Sequence, residues 1–295
     1  LGAANRFGVS PLLSGLVIVG FGTSMPEMVV SVEAAIGGQP DIAIGNVVGS
    51  NIANILLILG LCAVISPLAV TALALRRDAV TVIAASFLFI VLAGTNNLSH
   101  LDAAILLLSL FAYLVWAYWS EKLDAAPSAV VHQAEADEVT LVPKSAGWSA
   151  LAIVIGLVFL IAGSQVLIKG AVGLAHGLGV SEAVIGLTLV AVGTSLPELT
   201  ISVIAALRRH ADVAVGNVLG SNIFNLLGIL GVSALLQPLT VRGRIMEFDQ
   251  WVMLGVAVLI LVFLYTGRRL SRIEGAVLLV GYAAYIGASF FAIGS

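Results

Sequence analysis

The 295-residue sequence predicts an all-α integral membrane protein, a ten-helix bundle of two inverted five-helix repeats with nine of the helices falling in this chain. Three observations carry that expectation. The chain is 60% hydrophobic and 10% charged, with a mean hydropathy of +1.13, whereas soluble domains are about 45–50% apolar and about 25% charged. Several apolar stretches exceed the roughly 18 residues of a membrane-spanning helix, and none alternates with the two-residue period of a barrel strand. A shift of 171 residues lays 22–60 on 193–231 with 23 of 39 positions identical and no gap, which is an internal repeat.

The first span, 11–36, is interrupted by Gly22-Thr23-Ser24-Met25-Pro26-Glu27. Proline lacks an N–H, so Pro26 leaves the Gly22 carbonyl without its helical partner and strains the preceding turn. A freed carbonyl at membrane depth is tolerated only inside protein or beside a cavity. The second span, 41–65, carries Asn46, Ser50 and Asn54 at i, i+4 and i+8, one polar stripe on one face. Gly45 and Gly49 have the spacing that lets neighbouring backbones approach, and Pro67 ends the span. Spans 79–95 and 102–119 read as plain scaffold, with Trp116, Tyr118 and Trp119 as an interfacial belt.

From 120 to 147 mixed charge returns, a connector between a first repeat at 1–119 and a second at 148–295. The second repeat restates the plan. An apolar span at 148–171 precedes a broken span at 182–207, built around Gly193-Thr194-Ser195-Leu196-Pro197-Glu198. A striped span at 212–236 and plain spans at 250–266 and 273–293 follow. Leu1 aligns with Val172, so span 148–171 has no counterpart at the front, and one further helix is expected before Leu1.

Five spans per repeat is an odd number, which forces the repeats into opposite orientations. On the connector side lie Arg6, Arg76, Arg77, Lys122, Lys144, Arg208, Arg209, Arg268, Arg269 and Arg272; the other side has Lys169, Arg242 and Arg244. That bias orients the connector to the cytoplasm and the C-terminus outside. Asp41 and Asp212 open the striped spans, where an N-cap is expected ahead of a cation-entry funnel. Asn51 and Asn222 fall off the stripe and read as packing, while Asn46 and Asn217 read equally as interhelical glue or as ligands. The single cysteine, Cys62, excludes an internal disulfide, and its repeat counterpart is Ser233.

Glu27 and Glu198 sit in the middle of apolar spans, where an acid is costly and marks function. Inverted repeats with broken helices meeting at the midplane are the architecture of secondary transporters. The motif groups are all oxygen donors: two carboxylates, freed carbonyls, hydroxyls and amides. No His, Cys or Met ligand set joins them, and His100, His132, His176 and His210 lie in or near loops. That chemistry suits a hard cation such as Ca²⁺ or Na⁺ rather than zinc, copper or iron. Two carboxylates in a low-dielectric site must be neutralised by a divalent cation, by several monovalent cations or by protons. Competition between such ions for one site makes transport an exchange.

The paired Gly-Thr-Ser-x-Pro-Glu and Gly-Asn-Val-x-Gly-Ser-Asn-Ile motifs resemble the two alpha repeats of the sodium/calcium exchanger family, prokaryotic type, within the cation/calcium antiporter superfamily. The resemblance implies that Glu27 and Glu198 are central ligands shared by Ca²⁺ and Na⁺, with the backbone oxygens of Thr23 and Thr194 completing the Ca²⁺ site. It implies one flanking Na⁺ site with Ser24 and Ser50, and another with Ser195 and Ser221, each helped by a carbonyl at Gly20 or Ala191. Asn54 and Asn225 match the pair flanking the centre, although all four stripe residues, Ser50, Asn54, Ser221 and Asn225, also suit helix–helix hydrogen bonding. Some relatives carry an aspartate at the position of Asn225, so a K⁺ requirement is not expected here. The implied setting is a multi-pass protein of the cell (inner) membrane with Ca²⁺ and Na⁺ as cargo, no cofactor, no nucleic acid and no protein partner.

Rival readings follow from the same groups. A desolvated glutamate can take a proton, giving an H⁺-coupled Ca²⁺ antiporter, although that branch carries a Gly-Asn-x-x-Glu type motif instead. Oxygen-only sites overlap in preference, so Mg²⁺ or Mn²⁺ is a further cargo. A passive channel would need no opposing ion. An intramembrane metal hydrolase would need His or more acids than the motifs supply, and no nucleotide-binding motif indicates direct ATP drive.

Overall fold

The computed structural model describes residues 20–69, 73–124, 146–266 and 269–291. The expected helix before Leu1, the start of the first span at 11–19, most of the connector, and Arg6, His132, Lys144 and Arg268 lie outside the described residues. The helices are α1 (Gly20–Thr23 and Met25–Ile36), α2 (Pro40–Ile65), α3 (Leu73–Ala93), α4 (His100–Asp124) and α5 (Ala146–Leu178). They continue with α6 (Glu182–Thr194 and Leu196–Leu207), α7 (Ala211–Leu236), α8 (Ile245–Asp249 continued by Gln250–Thr266) and α9 (Arg272–Phe291). Among the described residues six of these are long and apolar enough to cross a membrane, and bent α6 makes a seventh.

The striped helices are the centre of the bundle. In the most apolar stretches of α2 and α7, 78% of residues are buried, against 22% for α4 and α9 and 19% for α5. Those outer helices turn Phe111, Phe159, Val166 and Val280 outward, as lipid-facing helices do. Inside, α2 lies directly on α6. A Cβ on Gly49 would stand 2.3 Å from the Leu187 carbonyl oxygen, so only glycine admits this contact. The small-residue spacing of α2 thus brings the two repeats backbone to backbone.

Each broken helix parts at the serine of its motif. Ser24 has φ −85° and ψ 11°, and Ser195 φ −81° and ψ 11°. Pro26 and Pro197 then sit in the first turn of the second segment, where a missing N–H costs nothing. The halves of α6 meet at 50°. Wide π turns at Asn54–Leu59 of α2 and Phe224–Ile229 of α7 follow the polar stripe, and a third occupies Gly186–Val190 of α6. Such turns re-aim side chains within a continuous helix.

Several boundaries differ from the sequence reading. α3 starts at Leu73 rather than 79 and α8 at Ile245 rather than 250, because their acids are paired within the protein. Asp78 is bonded by Arg77 and Tyr113, and Asp249 by Arg244 and Tyr285. α5 runs past 171 to Leu178, and α4 past 119 to Asp124. Asp41 and Asp212 are not N-caps. Gln39 and His210 hold those positions, and the two acids lie in the first turn, where their charge suits the helix dipole. Four two-residue strands were also not expected: β1 (Leu68–Ala69), β2 (Asn97–Leu98), β3 (Leu239–Thr240) and β4 (Arg269–Leu270). β1 pairs antiparallel with β4, and β2 with β3, stitching loops of opposite repeats at each end of the bundle.

Candidate cation-binding site

The helix breaks and the polar stripes converge at the centre, where Glu27 and Glu198 are both 0% exposed. Each carboxylate is held across the repeat boundary. Ser195 Oγ donates to Glu27 Oε1 at 2.8 Å, and Ser24 Oγ donates to Glu198 Oε1 at 3.0 Å. The second oxygen of each, Glu27 Oε2 and Glu198 Oε2, is buried with no hydrogen-bond partner among the described residues. Two fully buried acids, each with one oxygen unpartnered among the described residues, need a cation or a proton to neutralise them.

The serines also bond across the repeat boundary. Ser24 and Ser221 share Glu198 Oε1 as acceptor, the latter at 3.4 Å, and Ser50 Oγ donates to the Ala191 carbonyl at 3.3 Å, one turn before Ser195. Each flank therefore combines the broken helix of one repeat with the striped helix of the other. The reason is geometric: the α2–α6 contact at Gly49 sets the stripe of α2 against the break of α6.

The single hydroxyl hydrogen of Thr194 Oγ1 is shared between Asn46 Oδ1 at 3.0 Å and the Ala191 carbonyl at 3.2 Å. Thr23 is buried at the matching position, and Gly20 opens the described part of α1. Asn54 Nδ2 donates to Asn222 Oδ1 at 2.9 Å, leaving Asn54 Oδ1 unpartnered, and both amide atoms of buried Asn225 lack partners among the described residues. Asn46 and Asn217 act as ties. Their Nδ2 atoms donate to the Glu27 and Glu198 carbonyls, both at 3.3 Å, and to Ser31 and Ser202 hydroxyls, both at 2.9 Å. Ser31 and Ser202 escaped the sequence reading although each stands four residues after its glutamate in both repeats, a signal that could have found them.

Comparison with known proteins places the chain among its relatives. The sodium/calcium exchanger protein family matches residues 2–119 and 148–291. The sodium/calcium exchanger MaX1 of Methanosarcina acetivorans is 34% identical over 98% of this chain and 91% of its own. The inner membrane protein YrbG of Escherichia coli is 35% identical over 86% of this chain and 78% of its own. Among solved structures, the sodium-calcium exchanger NCX_Mj soaked with 2.5 mM Na⁺ and 0.1 mM Ca²⁺ superposes with a TM-score of 0.68 at 32% identity, covering 97% of this chain and 90% of that one.

Proposed function

The chain belongs to the sodium/calcium exchanger family, and we propose that it exchanges Na⁺ for Ca²⁺ across a membrane by alternating access, with both ions competing for Glu27 and Glu198. Family membership and the likeness to NCX_Mj support cation/Ca²⁺ antiport. The observation that carries the finer reading is the pair of fully buried carboxylates, each anchored through one oxygen by a serine of the opposite repeat and, among the described residues, unpartnered at the other. A hard divalent cation is bound by such oxygens together with backbone carbonyls, here those of Thr23 and Thr194. Na⁺ ions on the two flanks would draw on Ser24 with Ser221 and on Ser50 with Ser195, with carbonyls at Gly20 and Ala191. Asn54 and Asn225 border the middle. Either charge set neutralises the acids, whereas the empty site carries two uncompensated charges in low dielectric and resists crossing. That asymmetry couples the two fluxes, and no covalent step is involved.

The test is ⁴⁵Ca²⁺ uptake into proteoliposomes loaded with Na⁺, with an acid-inside pH gradient replacing Na⁺ in a parallel arm. Uptake driven by internal Na⁺ and indifferent to the pH gradient is expected. Uptake driven only by the proton gradient transfers the function to H⁺ coupling, and uptake needing no opposing ion makes the protein a channel. Glu27→Gln and Glu198→Gln are expected to abolish exchange while the protein remains inserted; exchange at the wild-type rate in either variant refutes the site.

A further inference from the structure

Asn51 and Asn222 stand in the repeated Gly-Ser-Asn-Ile segment, 1% and 0% exposed, outside the polar stripe and outside the ligand set. The 171-residue repeat makes them equivalent, yet their side chains are set differently. Asn222 Nδ2 donates across the repeat boundary to the main-chain carbonyl of Asn51 at 3.2 Å, while its Oδ1 accepts from Asn54 Nδ2. Asn51 Nδ2 instead donates to the Val47 carbonyl on its own helix at 2.7 Å, and its Oδ1 has no partner among the described residues.

A side-chain amide presents either oxygen or nitrogen, and only the oxygen serves a cation. The chain of bonds removes the ambiguity at Asn54. A main-chain carbonyl can only accept, so Asn222 must turn Nδ2 to Asn51 and Oδ1 to Asn54. Asn54 must answer with Nδ2, which leaves its buried Oδ1 as the atom not engaged with Asn222. Asn225, the counterpart of Asn54, has no such clamp among the described residues.

We propose that Asn222 and Asn51 are alternating positioning residues: Asn222 fixes the Asn54 amide with its oxygen available to the cation path in the state described here, and Asn51 fixes Asn225 when the repeats exchange conformations. This rests on the reading of Asn54 and Asn225 as neighbours of the cation site. Both settings of the asparagine are present in one molecule, a bridge across the repeats and a bond to the carbonyl four residues back. Each setting keeps one donated bond, so the exchange between them costs little, as a bistable element requires. Inverted repeats that rock about a fixed site interchange their local arrangements. The π turns beginning at Asn54 and Phe224 place this switch where the helices are already wide enough to re-aim a side chain.

Asn222→Ala and Asn51→Ala in proteoliposomes of known orientation test it, with Ca²⁺ affinity measured separately from each face. Loss of one orienting hydrogen bond is expected to weaken Ca²⁺ about three- to tenfold on one face in Asn222→Ala and on the opposite face in Asn51→Ala. Equal weakening on both faces, or none, overturns the proposal. Hydrogen exchange of the ion-free protein supplies a second readout: the two variants should shift protection of α1 and α6 in opposite senses, and parallel shifts or none overturn it. Exchange does not depend on which cation is carried, so a wild-type protein that fails to trade Na⁺ for Ca²⁺ sinks the functional reading without touching this result. Should Asn222→Ala not fold, Asn222→Ser also removes the bridge and is held to the same outcomes.

Discussion

At the scale of single residues, the acids are tied to a small set of buried polar groups. Asn46 joins three things: the Glu27 carbonyl, the Ser31 hydroxyl and, through Oδ1, Thr194 of the other repeat. Ser31 in turn donates to the Ala43 carbonyl at 3.3 Å, tying α1 to α2 beside the glutamate. Removing Asn46 strands buried partners, so Asn46→Ala is expected to cost about 1–3 kcal/mol of stability, and Ser31→Ala about 1 kcal/mol or less. Thermal unfolding in detergent ranks the two, and Ca²⁺ affinity should fall in the same order because the Glu27 backbone loses its tie. A larger loss from Ser31→Ala would contradict the assignment of Asn46 as the hub. The motif made the glutamates legible, since a carboxylate is too costly in an apolar span to persist there without a cation or a proton to meet. The ties were less legible because a serine on a membrane helix is chemically ordinary, and its meaning lies in a partner 15 residues away.

At the scale of elements, close approach decides what substitution is tolerated. Gly49 faces the Leu187 carbonyl oxygen, carbon and Cα at 2.3, 2.7 and 2.7 Å from any added Cβ, and backbone cannot yield as a flexible side chain can. Gly49→Ala is therefore expected to destabilise by about 1–3 kcal/mol, the usual cost of overpacking, and to depress transport by prising α2 from α6. Gly255→Ala is the control. It lies exposed on α8 with no atom within 4 Å of the added carbon, and alanine there should be neutral or gain up to about 1 kcal/mol. If both variants unfold at the wild-type temperature, the α2–α6 contact is looser than described. Hydropathy located the spans but not their ends. Arg77, Asp78, Glu247 and Asp249 looked like loop, yet Asp78 and Asp249 are joined to tyrosines 35 and 36 residues away, which removes the cost of placing them in a helix. The strands were invisible for a related reason: two-residue pairings between loops of different repeats leave no local pattern.

The whole molecule repeats itself upside down, and the ends of the bundle record it. Asp78 with Tyr113 joins α3 to α4 at the connector end, and Asp249 with Tyr285 joins α8 to α9 at the other, each acid accepting the phenol hydrogen bond at 3.0 Å. The same clamp at opposite ends is what inversion demands, and the β1–β4 and β2–β3 pairings close each end with one loop from either repeat. Inversion alone leaves the direction in the membrane open, so charge must decide it. Of the three basic residues assigned to the far end, Arg244 is bound by Asp249 and by the Ala288 carbonyl, which blunts its pull on topology further. The connector end keeps Arg208, Arg209, Arg269 and Arg272 in or beside short loops, where basic residues hold a segment in the cytoplasm. A fluorescent protein fused at the C-terminus is therefore expected to stay dark in the bacterial periplasm, and alkaline phosphatase fused there to be active. The same fluorescent protein inserted in the connector should glow. A glowing C-terminal fusion would reverse the orientation while leaving the paired acids and their crossed serines unchanged.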